Sequence, residues 1–287
     1  MRLVRFPLST LAVFAVWLAL APAAFAQQRP LTTEDAEPIG AGRVLIEGGF
    51  DFAHDYENRV SGLEGDLITL PTIGISVGLS SIAEFQIDGG IYNHLNVSTR
   101  NPNAPNAHLL TFSGDSTHDV SNATIATKIR LWAEGPGHPA IGLRFATKLP
   151  NASNEKGIYL DTTDFAGSVL VAKTVQSVRV VVNAGAAILT NPTAGLGQND
   201  VFTYGLSFAR ALTQEAEVVG EINGRFSTRS EGAFPGTESQ GLLKFGARYT
   251  RGPVRADAAI FFGTTSVDPT VGFTVGFTYV FNAFTVP

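Results

Sequence analysis

Three groups of residues in this sequence could carry chemistry. The pentapeptide Gly74-Ile75-Ser76-Val77-Gly78 fits the nucleophile-elbow pattern, which exposes a serine only where a strand turns sharply into a helix. Here the flanks keep alternating, and Ser76 sits between Ile75 and Val77 as a residue inside a strand. The five histidines are His54, His94, His108, His118 and His138. Three of them share the stretch 93–120 with Asp115 and Asp119, but their spacing matches no compact ligand motif, so a solvated loop is expected and no metal or cofactor. The third group is a row of charges and amides that recur on one face of successive segments. Glu47, Asp51, Glu84, Gln86 and Asp88 come first; Lys128, Arg130, Arg144, Lys148, Arg179 and Asn183 follow; Glu217, Glu221, Asn223, Arg225, Lys244, Arg248, Arg255 and Asp257 complete the row.

What must position that row is a set of strands. From Arg43 onward the sequence alternates with period two, and helical periodicity is essentially absent. Ala83, Phe85, Ile87, Gly89 and Ile91 share one face while Glu84, Gln86 and Asp88 take the other; Ile141, Leu143 and Phe145 oppose Arg144 and Lys148; Ala216, Val218 and Ile222 oppose Glu217 and Glu221. Twelve segments emerge, near 43–56, 66–79, 82–92, 121–132, 139–149, 163–173, 178–189, 201–210, 215–226, 239–250, 254–263 and 270–281. Most exceed the ~5–6 residues of soluble strands and match the ~9–11 that cross a bilayer tilted. Tight connections such as Ser80-Ser81 and Gly252-Pro253 alternate with longer polar loops at 57–65, 93–120, 150–162, 190–200, 227–238 and 264–269, the arrangement of short periplasmic turns and long outer loops. Phe52, Tyr56, Phe202, Tyr204, Phe226 and Phe262 near one rim, and Phe208, Tyr249, Tyr279 and Phe281 near the other, are placed as girdles. The fold class is all-β: a transmembrane antiparallel up-and-down barrel of about twelve strands.

Composition agrees with that placement. Charged residues make up 16%, against ~25% in soluble domains, so charge is kept off a large surface. There is no cysteine to staple an exported fold. Arg2 and Arg5, the apolar stretch 8–20 and Ala24-Phe25-Ala26 read as a secretory signal peptide over 1–26. Its removal leaves 18 basic against 25 acidic residues, a net charge of −7 that excludes a nucleic-acid partner. Residues 27–42, with two prolines and three acids, read as a periplasmic tail with the alternative of a plug folded into the lumen, and 43–287 as the barrel.

The start Arg29-Pro30-Leu31-Thr32-Thr33-Glu34-Asp35-Ala36, followed by Gly40-Ala41-Gly42 and Val44-Leu45-Ile46-Glu47-Gly48-Gly49-Phe50, resembles the outer-membrane family named after the meta-cleavage pathway of phenol degradation. Ala126-Thr127-Lys128-Ile129-Arg130-Leu131, Pro139-Ala140-Ile141-Gly142-Leu143-Arg144, Lys148-Leu149-Pro150 and Val218-Val219-Gly220-Glu221-Ile222 extend the likeness over nearly the whole mature chain. The resemblance implies a barrel transporter for aromatic or other hydrophobic compounds. The chain departs from a usual outer-membrane ending by continuing for six residues beyond Phe281. The expectation from the sequence is an outer-membrane channel in contact with lipid and small solutes. The alternatives are a structural or adhesive barrel with an occluded lumen and an outer-membrane lipid-modifying enzyme. The inward basic arc of Lys128, Arg130, Arg144, Lys148 and Arg179, opposite an acidic arc from the first and third segments, implies a field across an open lumen or a set of mutual ion pairs. The sequence sets no oligomeric state.

Overall fold

The computed structural model describes residues 29–193 and 196–286; the signal peptide expected over 1–26 lies outside them. Alternation of apolar and polar residues produces fourteen strands: β1 (Arg43–Asn58), β2 (Leu63–Gly78), β3 (Ala83–Gly90), β4 (Asn93–Arg100), β5 (Ser116–Asp119), β6 (Thr124–Trp132), β7 (Ala140–Lys148), β8 (Asp164–Val175), β9 (Val178–Thr190), β10 (Gln198–Ala211), β11 (Ala216–Ser227), β12 (Gln240–Arg251), β13 (Val254–Gly263) and β14 (Val271–Asn282). Each wall strand pairs antiparallel with the next. β1 pairs with β14 from Arg43↔Asn282 to His54↔Val271, so the wall closes on itself. The wall has twelve staves, β1 to β3 and β6 to β14. Closure satisfies every backbone group around the circumference, which is what lets strands cross lipid.

The pleat divides the side chains. Ile87 is 41% exposed, Phe145 55% and Phe277 50%, whereas Glu84 and Lys128 are fully buried. The apolar face is therefore the outside and the charged face the inside, opposite to a soluble protein and fitting a wall bathed in lipid.

Two regions differ from the simple alternation. The stretch 93–120 is not a plain loop: β4 continues along the upper half of β2, from Leu63↔Arg100 to Thr69↔Asn93, and pairs with β5 to form a hairpin above the wall. Leu95 and Val97 give this hairpin an apolar face, which joins Leu63, Leu67, Ile158, Leu110 and Phe112 in a cluster beneath the loops. In β1, the register slips by one residue between Ala53 and Tyr56, with Asp55 in the left-handed region at φ 57°. An extra residue exchanges the faces beyond it. Tyr56, expected in the girdle, thus turns inward, packs on that loop cluster and donates to the Ile158 carbonyl at 2.6 Å. A second slip between Gly49 and Asp51 leaves Leu70-Pro71 bulged from β2, a place that suits a proline with no N–H to offer.

Candidate functional site: the lumen and the segment within it

The inward row is set by the pleat, and the segment before β1 runs along it. Gly42 starts this path at the turn end, where its N–H donates to the Gly78 carbonyl and its carbonyl accepts from Ala283 and Phe284. Its φ of 70° and the Phe284 carbonyl against its Cα leave no room for a side chain. Inside, Ile39 packs on Leu45 and Val280, and Ala36 on Ala140, Leu170, Ala172 and Val181. Both are fully buried or nearly so. Burial of the Ile39 side chain is worth ~1.5–3 kcal/mol.

Between and beyond these apolar contacts the segment is held by charge. The Ile39 N–H donates to Glu84 at 2.6 Å. Glu37 pairs with Arg130, and Asp35 takes Arg179 in two bonds of 2.6 and 2.8 Å. Glu34 lies 3.2 Å from Lys128 and 3.0 Å from Arg144, while its main chain exchanges hydrogen bonds with Asn183 at 2.7 and 2.8 Å. Lys128 also meets Glu84 at 3.0 Å. Four of the five cations of the basic arc are thereby matched by acids of the segment; the fifth, Lys148, pairs with Asp164.

Farther along, Glu221 accepts from the N–H of Thr32 and of Thr33 and from the Thr33 hydroxyl, all at 2.8–2.9 Å. It is also 3.2 Å from Lys244, which donates to the Pro30 carbonyl at 2.9 Å. Arg29 reaches the acidic side: 3.7 Å from Asp51, 3.5 Å from Asp257, and bonded to the hydroxyls of Thr72 and Thr274. Its N–H faces Glu47 at 3.3 Å, and Arg248 donates to its carbonyl at 2.8 Å while standing 3.8 Å from Glu217. Gln86 bridges Glu84 and Arg144, and Arg144 is also 3.8 Å from Asp88. The wall makes space for this: a Cβ on Gly49 or Gly276 would collide with the Arg29 guanidinium, and one on Gly205 with Thr33. At the mouth, Glu134 shares Arg179 with Asp35. Burial alone would raise its pKa, but the Thr174 N–H, Arg179 and Lys173 together hold it below the usual carboxylate value.

Toward the loops the interior opens. A cavity of about 470 Å³ is bounded by Thr32 and Thr33 on the turn side and by Arg144, Ser168, Asn183, Thr203, Asn223, Arg225 and Gln240 around its walls. A second, of about 270 Å³, lies under the loops between Tyr56, Lys148, Tyr159, Asp164 and Glu238, and shares Arg225, Gln240 and Pro269 with the first. Arg255 lines neither and bonds to Thr250 at 3.0 Å.

Ser76 sits within β2, opposite Leu45 and Gln86, far from any strand-to-helix turn. His94 and His118 are cross-strand partners on the β4–β5 hairpin, and both stack on Tyr92. Among the described residues no three histidine, aspartate or glutamate side chains converge as metal ligands. Missing from the sequence reading were the partners within residues 29–39: an acid-rich segment between an exported leader and a wall of lysine and arginine was the available signal.

No family model matches this chain, and no curated protein matches it. The fold is similar to that of the COG4313 outer membrane channel from Pseudomonas putida F1, with a TM-score of 0.59 at 9% identity over 86% of this chain and 98% of that one. The translocator domain of the autotransporter NalP from Neisseria meningitidis follows at 0.51 and 12%, over 94% of this chain and 97% of that one. The NanC porin gives 0.51 and 7%, over 82% and 98%. At these identities the likeness is one of fold: this chain is a closed twelve-stave antiparallel barrel of the kind found in outer-membrane proteins.

Proposed function

We propose that this chain is an outer-membrane channel for small polar solutes, exported behind the leader at 1–26, whose own segment 29–39 closes the lumen from the periplasmic side at rest. The observation that carries the reading is the pairing of Glu34, Asp35 and Glu37 with Lys128, Arg144, Arg179 and Arg130. A wall that served only as a scaffold could pair its charges strand to strand; this one shares four of the five cations of its basic arc with acids of a segment that enters from one end. Such a segment can leave again without breaking the ladder that holds the barrel. The side chains of Arg144, Ser168, Asn183, Asn223 and Arg225 in the mixed walls of the cavity above Thr32 and Thr33 favour solutes that hydrogen-bond over the hydrophobic compounds that the family resemblance implies.

Single-channel recording in a planar bilayer tests this. The full mature chain is expected to show small or rare openings, and a variant with residues 29–39 replaced by a Gly-Ser segment of equal length a larger and steadier conductance. A folded replacement variant that conducts no better than the parent would overturn the reading in favour of an occluded structural barrel.

A further inference from the structure

Resting on that reading of the lumen, we infer that the cavity above the segment holds a monocarboxylate-binding site built on Arg225. Arg225 lies on the inner face of β11, between Thr203 of β10 and Gln240 of β12 in register. Its Nε and Nη2 donate to the carbonyls of Glu238 and Gly236 at 2.9 and 3.1 Å. These two bonds fix the guanidinium by one edge. The other edge, Nη1 with the second hydrogen of Nη2, has no partner among the described residues and is not sealed from the cavities that Arg225 lines. Among the described residues no carboxylate lies within 4 Å of Arg225, in contrast to Arg29, Lys128, Arg130, Arg144, Lys148, Arg179 and Lys244.

The neighbours are unspent as well. Thr203, Asn223 and Gln240 line the same cavity, and their side chains make no hydrogen bond to any described residue. An amide, a hydroxyl and a held guanidinium edge converge with nothing to bind inside the protein. The free edge of a guanidinium matches a carboxylate with two parallel bonds. Asp164 and Glu238 line the adjoining cavity and Asp268 lines this one, so a second negative charge on the ligand would be opposed. That selects a single carboxylate over a phosphate dianion. Volumes of about 470 and 270 Å³ accommodate a small organic acid beside the guanidinium edge with room to spare.

Titration calorimetry on the folded full mature chain in detergent at low salt tests the site with butyrate, its uncharged counterpart butyramide, and inorganic phosphate as probes. Butyrate is expected to bind at least tenfold more tightly than butyramide and more tightly than phosphate, and Arg225→Gln to weaken butyrate at least tenfold. Because Arg225 also holds the loop after β11, a second variant, the pair Thr203→Val and Gln240→Leu, whose native side chains hold nothing, is measured beside it; the pair is expected to weaken butyrate at least threefold. Equal binding of butyrate and butyramide, tighter binding of phosphate, or unchanged butyrate affinity in either folded variant would overturn the site. Butyrate selectivity in a chain that never conducts would sustain the site and sink only the channel reading; conduction without that selectivity would do the reverse.

Discussion

Most inward charges have a specific partner, so substitutions on the lumen face act through a named contact and those on the outer face through lipid. Glu221 carries three donors of the segment and the Lys244 ammonium together. Glu221→Ala strands a nearly buried lysine and releases Thr32 and Thr33. The expected loss is about 3 kcal/mol, since removing one member of a buried pair costs more than the pair contributes. Denaturant-induced unfolding in detergent checks it, and a loss below ~1 kcal/mol would mean that water replaces the carboxylate without strain. On β3, Ile87→Arg at the lipid face should cost ~2–4 kcal/mol. Gln86 next to it, which by alternation alone would tolerate any polar exchange, bridges Glu84 and Arg144, so Gln86→Leu should cost ~1–3 kcal/mol. Free tolerance at Ile87 with sensitivity at both flanking residues would place the register one residue off.

On the channel reading proposed above, the element that matters most is the segment over 29–39, and its charge predicts a selectivity. The triple variant Glu34→Gln, Asp35→Asn and Glu37→Gln keeps the shape of the segment but removes its carboxylates from Lys128, Arg130, Arg144 and Arg179. Reversal potentials across a salt gradient should then move toward anion preference, more at 0.01 M than at 1 M salt because screening lengthens from about 3 Å to about 30 Å. An unchanged reversal potential in a conducting, folded triple variant would mean that these cations do not face the permeation path. The strands themselves were legible in the sequence because each wall residue answers only to lipid or lumen, and period two records that choice directly, as in 83–90 and 216–227. The slip at Asp55 and the β4–β5 hairpin were not legible: both depend on which partner strand a residue meets, not on its own face. The same holds for Arg29, Glu34 and Asp35, whose partners lie between 22 and 228 positions away. Alternation reports the face a residue takes and is silent about its partner, which is why an inward row could be proposed from the sequence and its pairs could not.

At the scale of the molecule, stability has two separable sources. The closed ladder from β1 to β14 is continuous, whereas most of the interior ion pairs include a residue of the segment or lie beside one. A closed barrel resists dodecyl sulfate until heated, so the mature chain should migrate as a compact form in unboiled samples and as an extended form after boiling, with β-rich circular dichroism. Replacing residues 29–39 leaves the ladder intact but removes the segment's charges from Lys128, Arg130, Arg144, Arg179 and Asp257 and its three donors from Glu221 at once, leaving Lys128 to Glu84 alone and Arg179 to Glu134 alone. Buried charges left without partners destabilise the state that buries them. The replacement variant should therefore still form the compact band, but convert to the extended one at a temperature lower by roughly 5–10 °C, given a loss of several kcal/mol in a domain of this size. High salt should narrow that difference, because ions entering the vacated lumen screen the exposed charges. A replacement variant with no compact band at all would show that the segment is needed to build the barrel; one with an unchanged conversion temperature would show that its ion pairs are no stronger than the water that succeeds them.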